Sequence, residues 1–193
     1  MDVSIEEIVE DLSPLNVAIL QLLESNGQTP VKGKTVFQKE MFLISNYIDN
    51  LEHEANFIAH SFGPYSESSE VMLNNLISLG LIEKINEHSF KITKLGSTIL
   101  AAKVRDTLSK NYVEAINDFK QFLNDLKEDE ILLFIYVSYP KYTLESIVSE
   151  RVMRNRGRYA SSMYKKGKIS LEKAAFLAGK NIEDFLDVLR IYK

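Results

Sequence analysis

Seven side chains between residues 151 and 168 carry positive charge: Arg151, Arg154, Arg156, Arg158, Lys165, Lys166 and Lys168. No Asp or Glu lies among them, and Tyr159 and Tyr164 are interleaved. The chemistry open to such a run is neutralisation of a polyanion. Each Lys or Arg that meets a phosphate releases a counterion, which makes binding steeply salt dependent. The remainder of the chain has the opposite sign. Residues 1–150 hold 12 Lys/Arg against 23 Asp/Glu, whereas residues 151–193 hold 11 against 4. This asymmetry points to a polyanion partner for the basic end, or to a contact between the two ends within or between chains. The bland alternative is a solvated, charged connector lying on the acidic body.

Other residue types offer less chemistry. His53, His60 and His88 have no second His or carboxylate at helical metal spacing. The motifs G-x-S-x-G, G-x-G-x-x-G, H-E-x-x-H and the P-loop are absent. No enzyme, metal or cofactor is therefore expected. Glu128, Asp129 and Glu130 are adjacent and read as a helix start, where the helix dipole favours negative charge. The chain has no cysteine, which excludes disulfides and thiolate sites and suits a reducing compartment. No apolar run approaches the ~20 residues that cross a bilayer. The opening MDVSIEEIVEDL carries five acids and no base, unlike a signal peptide. A cytoplasmic protein with no membrane partner is expected. At 193 residues, 45% apolar and 26% charged, the chain can bury a globular core in one or two domains.

Periodicity supplies the elements that must position these groups. Ser13-Pro14 reads as a helix cap and first turn, followed by Leu15, Ala18, Ile19, Leu22 and Leu23 at helical spacing. NGQTPVKGK breaks that helix, and TVFQKEMFLISNYI resumes with Phe37, Met41, Ile44 and Ile48 on one face. FIAHSFGPYS reads as an extended segment and a Gly-Pro turn. SESSEVMLNNLISLG reads as a third helix with Leu73, Leu76 and Ile77 inward and Gly80 at its C-terminal cap. LIEKI and FKIT, joined by NEHS, alternate like a hairpin, and Thr93 and Gly96 bracket the next helix start. One long helix is expected over residues 97–127. Its stripe Tyr112, Ile116, Phe119, Leu123 and Leu126 has spacings of 4, 3, 4 and 3, which suits either the protein's own core or a dimer seam. ILLFIYVSY is apolar all round and reads as a central helix ended by Pro140. Leu171, Ala174, Ala175 and Ala178, then Gly179, then Ile182, Phe185, Leu186 and Leu189 read as two short helices across a tight turn.

Three helices followed by a hairpin is the order of a winged helix. VMLNNLISLGLIEKINEHSFKITKLGSTIL resembles the recognition-helix-and-wing region of winged-helix prokaryotic transcriptional regulators. VFQKEMFLI and HSFGPYSESSEVMLNNLISLGLI resemble a narrower, antitoxin-like or phage-regulator-like group that carries a Gly-Pro turn before its third helix. The likeness spans residues 14–100. YKKGKISLEKAAFLAGKNIEDFLDVL is similar to a small uncharacterised antitoxin-like helix-turn-helix family. These resemblances imply regulators that bind DNA or a partner protein.

The expected architecture is mainly α with a small β-hairpin wing. A winged-helix domain over residues 1–100 is followed by a helical connector or dimerisation segment over 101–140. A basic segment with a helix-turn-helix-like module occupies 141–193. The expected function is a dimeric regulator binding double-stranded DNA. Sequence would be read by the helix over 66–80, where Asn74 and Asn75 can pair with base edges. Phosphates would be met by Lys84 and Lys91, with His88 and Lys94, on the wing, by Lys32 and Lys34, and by the seven cations of residues 151–168. One feature opposes this. Glu67 and Glu70 open the third helix, and Glu183, Asp184 and Asp187 face outward on the last. Those acids fit the alternative, a protein-interaction module that binds a basic, toxin-like partner.

Overall fold

The computed structural model describes residues 5–86 and 88–192. Asp2 of the acidic leader, Glu87 of the NEHS turn and Lys193 lie outside the described residues. The protein is mainly helical with a small antiparallel sheet. In chain order the elements are α1 (Ile5–Asp11), α2 (Pro14–Gln28), β1 (Val31–Lys32), α3 (Gly33–Ser45), α4 (Leu51–Ala55), β2 (Ile58–His60), β3 (Gly63–Tyr65), α5 (Glu67–Ser78), β4 (Ile82–Ile85), β5 (Ser89–Ile92), α6 (Lys94–Thr107), α7 (Lys110–Leu123), α8 (Glu128–Ser138), α9 (Ser149–Arg154), α10 (Arg156–Lys165), α11 (Leu171–Ala178) and α12 (Ile182–Ile191), with a 3-10 turn at Pro140–Thr143. They form two compact units. The first comprises Met1–Phe57 and Ser66–Asn124, the second Ile58–Tyr65 and Asp125–Lys193.

The first unit is built around α2. Ser13 caps it by accepting the Asn16 N–H, and the Asn16 side chain returns the bond to the Ser13 N–H at 3.1 Å. Leu15, Val17, Ala18, Ile19, Leu20, Leu22 and Leu23 are all buried, so α2 is enclosed on every side. Each such aliphatic side chain contributes about 1.5–3 kcal/mol when fully buried. Regular helix ends at Glu24, because Ser25 is extended (ψ 162°) and Asn26 is left-handed (φ 53°). Phe37, Met41 and Ile44 of α3 and Leu73 and Leu76 of α5 close over the same core. Strand β1 pairs with β5 and β5 with β4, giving the sheet order β1-β5-β4. Phe37 meets Phe90 of β5 edge-on at 6.3 Å, which ties helix to sheet.

One expectation fails here. The long helix expected over 97–127 is two helices, α6 and α7. Leu108 is extended and buried, and Ser109 caps α7 by accepting the Tyr112 N–H at 3.3 Å. A serine that satisfies an orphan N–H competes with helix continuation. The α7 stripe faces the unit's own core: Ile116 and Leu123 are buried, with Tyr112 and Phe119 partly so.

The second unit holds the short β2–β3 hairpin and α8 to α12. Here too the local reading shifts. Gly63 and Pro64 lie in strand β3, not in a turn, and Ser61 and Phe62 make the reversal. A two-stranded hairpin has only edge strands, where the missing proline N–H is tolerated. Helix α8 is the apolar centre, with Ile131, Leu132, Leu133, Ile135 and Tyr136 buried. The basic segment is neither loop nor simple connector. It forms α9 and α10, and α10 packs against α8, α9, α11 and α12 through Ala160 and Met163. Alanines 174, 175 and 178 of α11 are buried as the spacing requires. In α12 only Phe185 is fully buried, and Ile182 and Leu186 are each 42% exposed.

Candidate nucleic-acid interface

The residues singled out in the sequence fall into both units. Asn74, Asn75, Lys84 and Lys91 belong to the first, and Arg151 to Lys168 belong to the second. In the first unit Ser66 caps α5 by accepting the Ser69 N–H at 2.9 Å. Ser66 is fully buried, and the Gln38 side chain bonds its backbone from both directions at 2.8 and 2.9 Å. The start of α5 is thereby pinned to α3. From there, one face buries Leu73 and Leu76 and the other presents Val71, Asn74, Asn75 and Ser78 to solvent. That exposed stretch is uncharged. Glu67 is exposed at the first turn, and Glu70 is held by Lys34.

The β4–β5 hairpin follows directly, with α5 packed on β4. Lys84 is exposed and Lys91 half-buried, and Lys91 stands across from Glu83. Lys32 on β1 and Lys94 at the start of α6 are also exposed. Lys32, Lys84 and Lys94 make no ion pair among the described residues. His88 lies exposed on the hairpin.

The seven cations of the second unit have a different character. Arg151 makes a two-pronged contact with Asp129, at 2.6 and 2.8 Å, and Tyr159 donates its hydroxyl to the same carboxylate at 2.7 Å. Partial burial pushes the Asp129 carboxyl up, but the Arg151 and Tyr159 hydrogen bonds outweigh it and hold it below the usual carboxylate range. Lys166 bonds Glu130 at 2.6 Å and the Asp125 carbonyl at 2.8 Å. The Glu130 side chain is 1% exposed and also accepts the Lys127 N–H at 2.8 Å, so it caps α8 while it neutralises Lys166. Lys168 pairs with Asp125 at 2.8 Å. Lys165 donates to the Tyr192 carbonyl. Arg154 pairs with Glu150 at 2.5 Å, both well exposed, a pair that water screens heavily. Arg158 is exposed and makes no ion pair among the described residues, and Arg156 turns inward.

The partners Asp129, Glu130 and Asp125 were not legible as such in the sequence. Asp129 and Glu130 were read, with Glu128, only as a helix start, and both serve the basic segment as well. The available signal was the balance itself: a run of cations with no local acid must find acids elsewhere in the fold or in a partner. Among the described residues no cluster of three or more His, Cys, Asp or Glu could hold a metal. A scan against protein-family models and searches of curated proteins and of solved structures each returned no match.

Proposed function

We propose that the first unit is a winged-helix module that binds double-stranded DNA, and that the protein is a cytoplasmic, antitoxin-type transcriptional regulator acting as a homodimer. The observation that carries this reading is topological. The order α2-β1-α3-α5-β4-β5, with the sheet ordered β1-β5-β4, supports a winged helix whose second and third helices are separated by an insertion. In such a module α5 enters the major groove and the β4–β5 hairpin lies along the backbone. The exposed amides of Asn74 and Asn75 suit adenine edges, and Lys32, Lys84, Lys91 and Lys94 suit phosphates.

The basic segment takes a smaller part in this account than its charge suggests. A phosphate would have to displace Asp129 from Arg151, Glu130 from Lys166 and Asp125 from Lys168. Freeing Glu130 would leave a buried carboxylate without its cation, which costs several kcal/mol. Arg154 and Arg158 keep exposed side chains and remain candidates for backbone contacts. The test is titration of labelled duplex DNA with the full chain at low and at moderate salt. Micromolar or tighter binding at low salt that weakens steeply as salt rises supports the reading, and no binding at low salt removes it.

A second reading is favoured by the acids and apolar groups left at the surface. Glu67 is exposed at the start of α5, and Phe176, Ile182, Leu186 and Ile191 are exposed on α11 and α12. These suit a basic, toxin-like protein partner in place of DNA.

A further inference from the structure

The second unit contains an open groove of about 780 Å³, a size that suits a small organic ligand. Its walls are mostly apolar: Tyr136 and Val137 of α8, Pro140, Met153 of α9 and Phe176 of α11. Arg156, at the start of α10, also lines it. The Arg156 Nε is buried and has no hydrogen-bond partner, and its guanidinium makes no ion pair among the described residues. A guanidinium stays charged at every accessible pH, so leaving one unpaired away from water is costly.

The neighbouring polar groups are already engaged. Thr143 donates to the Pro140 carbonyl at 2.7 Å, Ser149 to the Ser146 carbonyl at 3.1 Å, and Tyr136 shares a hydrogen bond with Ser146. Glu150 lines the groove as well, but its carboxylate is bonded to Arg154 and largely solvated. Lys180 adds a second cation to the lining. Gly179 is shaped for this arrangement. It takes the left-handed conformation (φ 65°), and the Arg156 guanidinium fills the space that a Cβ at residue 179 would need.

We propose that this groove binds a small molecule that joins a carboxylate to an apolar or aromatic body, with the carboxylate on the Arg156 guanidinium. The planar fork of arginine matches a carboxylate in two parallel hydrogen bonds. The apolar walls take the remainder of the ligand. A nucleic-acid backbone is a poor occupant, because its phosphates carry no apolar body to fill the groove. The inference stands independently of the DNA reading.

The test uses the full chain with two probes of nearly the same shape, 4-phenylbutanoate and its neutral amide, followed by calorimetry and by chemical-shift changes. The acid is expected to bind saturably and at least about tenfold more tightly than the amide, the margin of one charge-assisted contact. Arg156→Met keeps the apolar stem and is expected to abolish that preference. Gly179→Ala, whose methyl group displaces the guanidinium, is expected to reduce it. The acid–amide comparison on the unaltered protein needs no variant to fold. Equal binding of acid and amide overturns the proposal, as does no saturable binding of either probe up to about 10 mM. Retention of the preference in a folded Arg156→Met protein overturns it equally.

Discussion

Glu40 and Lys120 are both buried in the first unit, and the Lys120 ammonium donates to the Leu22 carbonyl at 2.8 Å. The Glu40 Oε2 has no hydrogen-bond partner among the described residues. Burial pushes the Glu40 carboxyl up to about 7, with Lys120 pulling it back, and pushes the Lys120 amine down to about 8, with Glu40 opposing. The signs then follow from linkage. The folded chain holds the Glu40 proton more tightly than the unfolded chain. Glu40 therefore contributes stability that is full below its ordinary 4.5 and lost as pH rises through about 7. Lys120 behaves oppositely, and stability returns as pH rises from about 8 toward its ordinary 10.5. Urea unfolding is expected to show a minimum in the pair's contribution between those two windows, which the double variant Glu40→Gln, Lys120→Met flattens. Lys120→Met alone removes the charge that holds Glu40 down and the donor to the buried Leu22 carbonyl, and is expected to cost about 1–3 kcal/mol and to move the Glu40 titration further up. None of this was readable in the sequence, where position 40 and position 120 are ordinary charged residues in helical stretches. Only the packing of α7 on α2 and α3 brings them inside.

At the scale of elements, the termini were the most legible part. Ser13, Thr93 and Gly80 stand where cap chemistry placed them, since a capping oxygen or a left-handed glycine acts within four residues. The break between α6 and α7 was not legible because Ser109 is a single polar residue just ahead of the stripe that starts at Tyr112. Periodicity carries no information about a local cap that wins against continuation. The end of α2 was legible in its glycine and polar residues, but not the means by which it is satisfied. Asn26 donates its N–H to the Asn117 side chain at 2.9 Å, and Lys120 takes the Leu22 carbonyl. One helix thus supplies both caps to another far away in sequence. Gly96 tests the packing of α6 against the sheet. A Cβ there would overlap the Leu81 carbonyl and approach Ile92 Cγ1 to 2.8 Å. Gly96→Ala is expected to destabilise by about 2 kcal/mol or more despite alanine's better helix propensity, as measured by chemical denaturation.

At the scale of the whole molecule, the charge asymmetry that first suggested a polyanion partner is in large part consumed within one unit. Arg151, Lys166 and Lys168 answer Asp129, Glu130 and Asp125, all within residues 125–168. Segment counts register the surplus of charge but not where the fold spends it. The β4–β5 hairpin and the helices on either side of it were legible because caps and a period-2 pattern fix them locally, whereas β1, two residues long, was legible only as a helix break. The inward turn of Arg156 was not, because spacing identifies a cation without revealing what it faces. The central claim is that α5 and the β4–β5 hairpin carry the DNA contact. Its most direct test is the anisotropy of a labelled duplex titrated with the unaltered chain, with Lys84→Ala/Lys91→Ala/Lys94→Ala and with Arg154→Ala/Arg158→Ala across a range of salt. The lysine triple is expected to weaken binding at least about tenfold and to flatten the salt slope by roughly three, with the arginine pair doing less. Binding that ignores the loss of all three lysines contradicts the account.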